Sequence, residues 1–232
     1  MRIFNSALVI IGLTSSSFAG DLTGTVTYDG KAPKKKMLRM DSDPVCGAAH
    51  KDAVYTESFI VDENGNFANV FVYLKNAKSD SAPSEAAVID QNGCMYSPHV
   101  LGVQAGQELK ILNSDQTMHN IHGLPKVNKQ FNFGMPKTVK EKTVTFKKPE
   151  DVFVVKCDVH PWMKSYVQVF DHPYFAVTGL DGKFTISGIP DGEYEVVAWQ
   201  EKFGSKRIMT QSVSIGKDTQ TLNFTFSRPK KK

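Results

Sequence analysis

Long apolar runs, helical periodicity and cysteine are all scarce in this chain of 232 residues. Beyond its N-terminus no segment approaches the roughly 20 apolar residues of a membrane-spanning helix, so no membrane span is expected. No stretch of helical length carries apolar residues at i, i+3 and i+4 spacing, which argues against a helix bundle; residues 48–53 and 84–87 offer a single turn each. Three cysteines are too few for a disulfide framework, and no Cys-x-x-Cys-His run exists for covalent haem attachment. Charge is also modest. The net value is +4, and the run Lys230-Lys231-Lys232 holds much of it. No basic stripe interleaves with aromatic residues, so no nucleic-acid partner is expected. A hydrophobic fraction of 41% against 22% charged residues excludes disorder as the main state.

What is present begins with an address. Arg2 precedes an apolar stretch that ends in small residues at Ala19-Gly20, the layout of a signal peptide over residues 1–19. The expected location is periplasmic or otherwise exported, where thiols oxidise. Cleavage removes Arg2 and no acid, so the 28 basic residues become one fewer against 24 acids.

The remainder reads as strands. Residues 22–28 alternate and stop at Asp29-Gly30, and 59–61 with 68–74 form a hairpin around Asp62-Glu63-Asn64-Gly65. A polar loop over 75–85 follows. Strand patterns then recur at 86–90, 100–103, 108–112, 142–146, 152–155 and 166–170. After Asp171-His172-Pro173 a second block places strands at 175–178, 184–187, 194–199, 211–215 and 221–226. Short strands separated by turn signals predict an all-β fold of sandwich or barrel type.

The second block repeats a turn signature, Gly179-Leu180-Asp181-Gly182 and then Ile189-Pro190-Asp191-Gly192. It resembles the carboxypeptidase regulatory-like modules, which implies a small prealbumin-like sandwich over residues 173–227 with a structural or docking role. Asp181 and Asp191 read as turn residues, since Asp-Gly suits the backbone geometry.

Chemistry concentrates elsewhere. Cys157-Asp158-Val159-His160-Pro161-Trp162-Met163 carries a thiol, an imidazole and a thioether at Cys-x-x-His-x-x-Met spacing, directly after an apolar strand. Upstream stands His119, within Met118-His119-Asn120-Ile121-His122. Two imidazoles, a thiolate and a weak thioether suit one mononuclear copper ion that changes oxidation state with little change in geometry. Zinc has little use for a thioether. A dinuclear copper centre needs a second cysteine in the loop, and the loop has one.

At these residues the sequence resembles the small blue copper proteins, the cupredoxins, and most closely the amicyanin type with its short His-Pro-aromatic-Met loop. The resemblance covers about residues 96–170. It implies a cupredoxin-like sandwich over 20–172, a type 1 copper site with ligands His119, Cys157, His160 and Met163, and Asn120 as the brace of the ligand loop. It also implies redox partner proteins and an electron route over an exposed His160 edge. His122 is expected beside the site as a tuning residue. Copper oxidases and nitrite reductases of this fold carry a conducting His next to the ligand Cys; here Asp158 stands there, so no enzyme is expected.

Cysteine arithmetic fits. Cys46 and Cys94 are free to pair in an oxidising compartment, which leaves Cys157 unpaired as a metal ligand. Two alternatives stay open: a second metal site, because Cys46 lies near His50 and Cys94 near His99, or free buried thiols. The insertion over residues 31–50 has no counterpart in the resemblance, and Lys34-Lys35-Lys36 within it reads either as a solvated loop or as a patch that steers an acidic partner. Residues 228–232 form a basic tail. Two function classes follow, an electron carrier and a non-redox copper protein for delivery, storage or sensing.

Overall fold

The computed structural model describes residues 19–228 except 82 and 84. The expected signal peptide, apart from Ala19, lies outside the described residues, as do all of the basic tail but Arg228 and part of the expected turn over 84–87. Strand β1 (Ala19–Asp29) comes first, followed by one helix, α1 (Pro44–Ala48). The central strands are β2 (Phe71–Leu74), β3 (Ala87–Asn92), β4 (Met95–Ser97), β5 (Val100–Gln104), β6 (Glu108–Asn113) and β7 (His119–Gly123). Next come β8 (Phe131–Met135), β9 (Glu141–Thr145), β10 (Glu150–Lys156), β11 (Lys164–Phe170) and β12 (Phe175–Val177). The last are β13 (Lys183–Pro190), β14 (Gly192–Trp199), β15 (Met209–Ile215), β16 (Gln220–Thr221) and β17 (Phe224–Ser227). The fold is all-β, as the pattern predicts.

Two sheets make the sandwich that carries the Cys157–Met163 loop. One runs β4-β3-β6-β9 and the other β5-β11-β10-β7-β8. Ile89, Leu109 and Ile111 of the first meet Val103, Ile121, Val155 and Val167 of the second in one buried cluster. The second sandwich pairs a sheet ordered β13-β1-β16, with β17 also on β1, and a sheet ordered β12-β2-β14-β15. Its core joins Leu22, Val26, Val72 and Leu74 from early in the chain to Phe184, Ile186, Val196 and Phe224 from late in it.

This pairing corrects the linear division at residue 172. β1 runs antiparallel to β13 and parallel to β17, and β2 lies between β12 and β14. The N-terminal strands therefore complete the C-terminal sandwich, and the sandwich that carries the Cys157–Met163 loop is an insertion between them. The physical reason is unpaired edges: the late strands alone leave backbone groups and an apolar face that β1 and β2 cover. Gly24 permits the approach, since a Cβ there would collide with the Leu222 carbonyl and the Phe184 ring. A third cluster of Phe71, Val100, Phe170 and Trp199 joins the two sandwiches.

Other local expectations shift for identifiable reasons. An α-helical turn forms at Pro44–Ala48 rather than 48–53, because Asp43 caps it and Pro44 opens it, and a 3-10 turn forms at Ser205–Arg207. The Asp43 carboxylate accepts the N–H groups of Val45 at 2.8 Å and Cys46 at 3.1 Å. Residues 59–61 contribute only an isolated bridge, Val61 to Phe67, rather than a full strand. β7 and β8 were not evident in the sequence. β7 buries His119, Asn120, Ile121 and Gly123, so polar side chains occupy inward positions and the alternation disappears.

Candidate metal centre

β10 and β11 are adjacent antiparallel strands, and residues 157–163 are the connection between them. The Cys157 N–H donates to the Met163 carbonyl at 3.1 Å, and the Met163 N–H to the His160 carbonyl at 2.9 Å. The loop is thereby closed at its base. On its other side β10 pairs with β7, Lys156 against His122, which brings the start of β7 and His119 beside the loop.

His119, Cys157 and His160 converge with ligand atoms within 4.8 Å of one another, all three buried. The two Nδ1 atoms face each other at 2.9 Å, and Cys157 Sγ lies 3.8 Å from His160 Nδ1. Three electron-rich donors this close need a proton or a cation among them, and one thiolate with two imidazoles suits copper. Met163, at the end of the loop, is fully buried in the same core as Cys157. Burial alone raises the Cys157 thiol pKa. A hydrogen bond to His119 and the N–H groups of Asn120, His160 and Val159 outweigh it and hold the thiol below its ordinary value. Burial pulls His119 down, but Asp115 and Cys157 lift it to about 9.

The outer nitrogens show what the sequence reading missed. His119 Nε2 contacts Asp115 Oδ2 at 2.8 Å, and His160 Nε2 contacts Asp43 Oδ2 at 3.1 Å. A carboxylate at Nε2 keeps the proton there and frees the Nδ1 lone pair for a metal. Asp115 is itself fixed by the N–H groups of Gly93 and Cys94, each at 2.8 Å. Both N–H groups point the same way because Gly93 and Cys94 adopt positive φ, 62° and 54°, in the tight β3–β4 turn. The signal for Asp43 was its helix-opening Asp-Pro pair. Asp115, four residues before His119, carried only weak spacing evidence.

The insertion that had no counterpart covers this site. Leu38 N–H donates to Val54 O and Thr56 N–H to Lys36 O, closing a loop with α1 inside it. Met40 and Cys46 enter the same buried core as Cys157 and Met163. A disulfide joins Cys46 to Cys94 and pins the cap to the β3–β4 turn. Cys157 is the free cysteine, and it is buried. The sulfurs of Cys46 and Cys94 are bonded to each other, so the alternative second metal site lacks its thiolates. His50 instead contacts the Gly93 carbonyl at 2.6 Å, and His99 pairs with Glu201 at 2.6 Å.

This cap overturns the expected exposed edge. His160 is only 2% exposed, and Cys46 Sγ lies 3.7 Å from its Nε2. Asn120 Oδ1 accepts the N–H groups of Asp158 at 2.7 Å and Val159 at 3.3 Å, holding the loop from the β7 side. His122 reaches Asp158 Oδ2 at 2.9 Å rather than the donor cluster. Asp158 also accepts from Lys156 at 2.8 Å and sits at the surface.

No family model matches the chain, and no curated protein matches it. Part of the chain is similar in structure to a Cu-containing nitrite reductase from Thermus scotoductus, at 18% identity over 43% of this chain and 25% of that one, with a TM-score of 0.35. It is also similar to a mutant of amicyanin in its Cu(I) form, at 21% identity over 43% of this chain and 98% of that one, TM-score 0.33. A purple cupredoxin from Nitrosopumilus maritimus is similar at 25% identity over 36% of this chain and 99% of that one, TM-score 0.31. The chain thus spans about a quarter of the reductase and nearly all of the two smaller proteins. Among the described residues no helix is long and apolar enough to cross a membrane.

Proposed function

We propose that this chain is an exported copper protein that carries single electrons between redox partner proteins. One mononuclear type 1 site is held by His119, Cys157, His160 and Met163. The observation that carries the reading is the buried convergence of two Nδ1 atoms and one thiol in a strand connection. Copper supplies a one-electron couple there. The protein's part is to keep the donors fixed: Asp43 and Asp115 hold the imidazole protons on Nε2, and Asn120 holds the Cys157 loop. Rigid donors suit both oxidation states and keep reorganisation small. The role is that of a carrier rather than an enzyme, since the neighbour of the ligand cysteine is a surface Asp158 paired to lysine. The second sandwich, read as carboxypeptidase regulatory-like, serves as a structural or docking unit.

One observation favours a second reading, non-redox copper delivery, storage or sensing: His160 is buried beneath the cap. Reconstitution with copper separates the two. An intense thiolate-to-copper absorption with a reversible couple supports the carrier, and Cys157→Ser abolishes that colour. Colourless binding of Cu(I) alone supports delivery. Colour that survives Cys157→Ser refutes the ligand assignment.

A further inference from the structure

A groove of about 1120 Å³ opens beside the capped site, between the insertion, the ligand loop and the second sandwich. Besides Lys202, which pairs with Glu201, its cations come from separated parts of the chain: Lys34, Lys35, Lys36 and Arg39 from the insertion, Lys164 from the start of β11, and Arg228 just after β17. All six are exposed. None of these six has an ion-pair partner among the described residues, whereas two of the three acids that line the groove, Glu57 and Glu201, are engaged; the third, Asp41, is exposed. Glu201 is held by His99 at 2.6 Å and Lys202 at 3.1 Å, and Glu57 faces His99 at 3.9 Å.

Trp162 lines this groove. Its ring packs against that of His160 with centroids 5.0 Å apart, and its Nε1–H donates to the Cys94 carbonyl at 3.0 Å. His160 itself is shut off, so the half-buried indole is the side chain that links the groove to the donor cluster. Met37, 54% exposed, adds an apolar contact on the same groove. Aromatic, Met and Arg side chains inside a ring of charge are the composition of a protein-docking patch.

We propose that this groove is the docking face for the acidic surface of a redox-protein partner, with Trp162 as the contact between that partner and the buried site. The inference rests on the electron-carrier reading and names its partner's chemistry. A protein surface is favoured over a small ligand because the volume exceeds the usual range of about 300–1,000 Å³ for small-molecule pockets. Unpaired cations on the rim steer an acidic partner and fix its orientation.

The test uses the full exported chain without copper and poly-L-glutamate as the probe, followed by the Trp162 indole N–H resonance. Binding is expected to shift that resonance and to weaken with added salt. The triple change Lys34→Glu, Lys36→Glu, Arg39→Glu is expected to weaken binding at least about tenfold, as loss of steering and contact charge together predicts. Charge reversal at Lys110 and Lys142, which do not line the groove, is expected to leave it unchanged. Equal binding by both variants, an unmoved Trp162 signal, or tighter binding to phosphatidylglycerol vesicles or an oligonucleotide than to poly-L-glutamate would overturn the proposal. A blue protein indifferent to poly-L-glutamate sinks the docking face alone. A protein that stays colourless with copper yet binds poly-L-glutamate sinks the carrier reading and the redox role of the partner, and leaves only a groove for an acidic protein surface.

Discussion

Replacing Asp43 with asparagine separates two jobs that one carboxylate performs. Its Oδ1 caps α1 through Val45 and Cys46, and its Oδ2 contacts His160 Nε2. Burial works to raise the carboxyl, but the Cys46 N–H, the His160 ring and the Val45 N–H outweigh it and keep it ionised. In Asp43→Asn the amide oxygen still caps the helix, since Asn and Asp are comparable caps. The amide NH2 then faces His160, which favours moving the ring proton to Nδ1, the nitrogen needed for copper. Loss of such a carboxylate costs 10–100-fold in metal affinity, or about 1.4–2.8 kcal/mol. The Asp43 side chain is 22% exposed and partly screened, which puts this variant near the lower bound of about tenfold. Asp115 is 11% exposed and also holds two backbone N–H groups, so Asp115→Asn falls near about 100-fold. Asp43→Ala loses the cap as well, at about 1 kcal/mol of stability. Asp158→Asn is the control, because its histidine contact is with His122, outside the donor cluster. The assay is competition for copper against a chromophoric chelator, paired with melts of the copper-free protein. Unchanged affinity in both Asp43→Asn and Asp115→Asn would refute the argument that carboxylates hold the imidazole protons.

Further outcomes follow from other contacts. Cys46→Ser opens a cross-link between residues 48 apart and is expected to cost about 2–4 kcal/mol, read as a lower melting temperature with the copper colour retained. His172 is pushed below its ordinary pKa by burial and is 2% exposed. Stability tied to its neutral form is complete above about pH 6.5 and is lost as pH falls through that value. Its Nδ1 accepts the Tyr174 N–H at 3.1 Å, which an asparagine oxygen can replace, so melts of His172→Asn should decline less between pH 7.5 and 5 than those of the parent, as about one fewer protonation requires. Phe71 packs fully buried against Phe170 and Trp199 at the junction of the sandwiches. Phe71→Ala should cost about 3–5 kcal/mol in chemical denaturation, and a loss under about 1 kcal/mol would show that the junction contributes little.

Composition, periodicity and turn chemistry were enough to settle an all-β chain, and the motif placed three of its four candidate donors in one loop. Those features are local: alternation needs only neighbouring residues, and Cys157, His160 and Met163 lie within one strand connection. The division into sandwiches was not legible, because β1 joins β13 and β17 through hydrogen bonds between residues far apart in sequence. β7 was hidden for a related reason. A strand that turns His119 and Asn120 inward does not show the apolar alternation that marks a strand. The sequence pointed to the Cys46–Cys94 pair, but only tertiary structure placed that bridge beside His160, brought Asp43 onto His160 and left Trp162 lining the groove. Nothing in the chemistry of an isolated aspartate says which histidine it will meet; chain packing decides that, and with it which ring is covered and which reaches solvent.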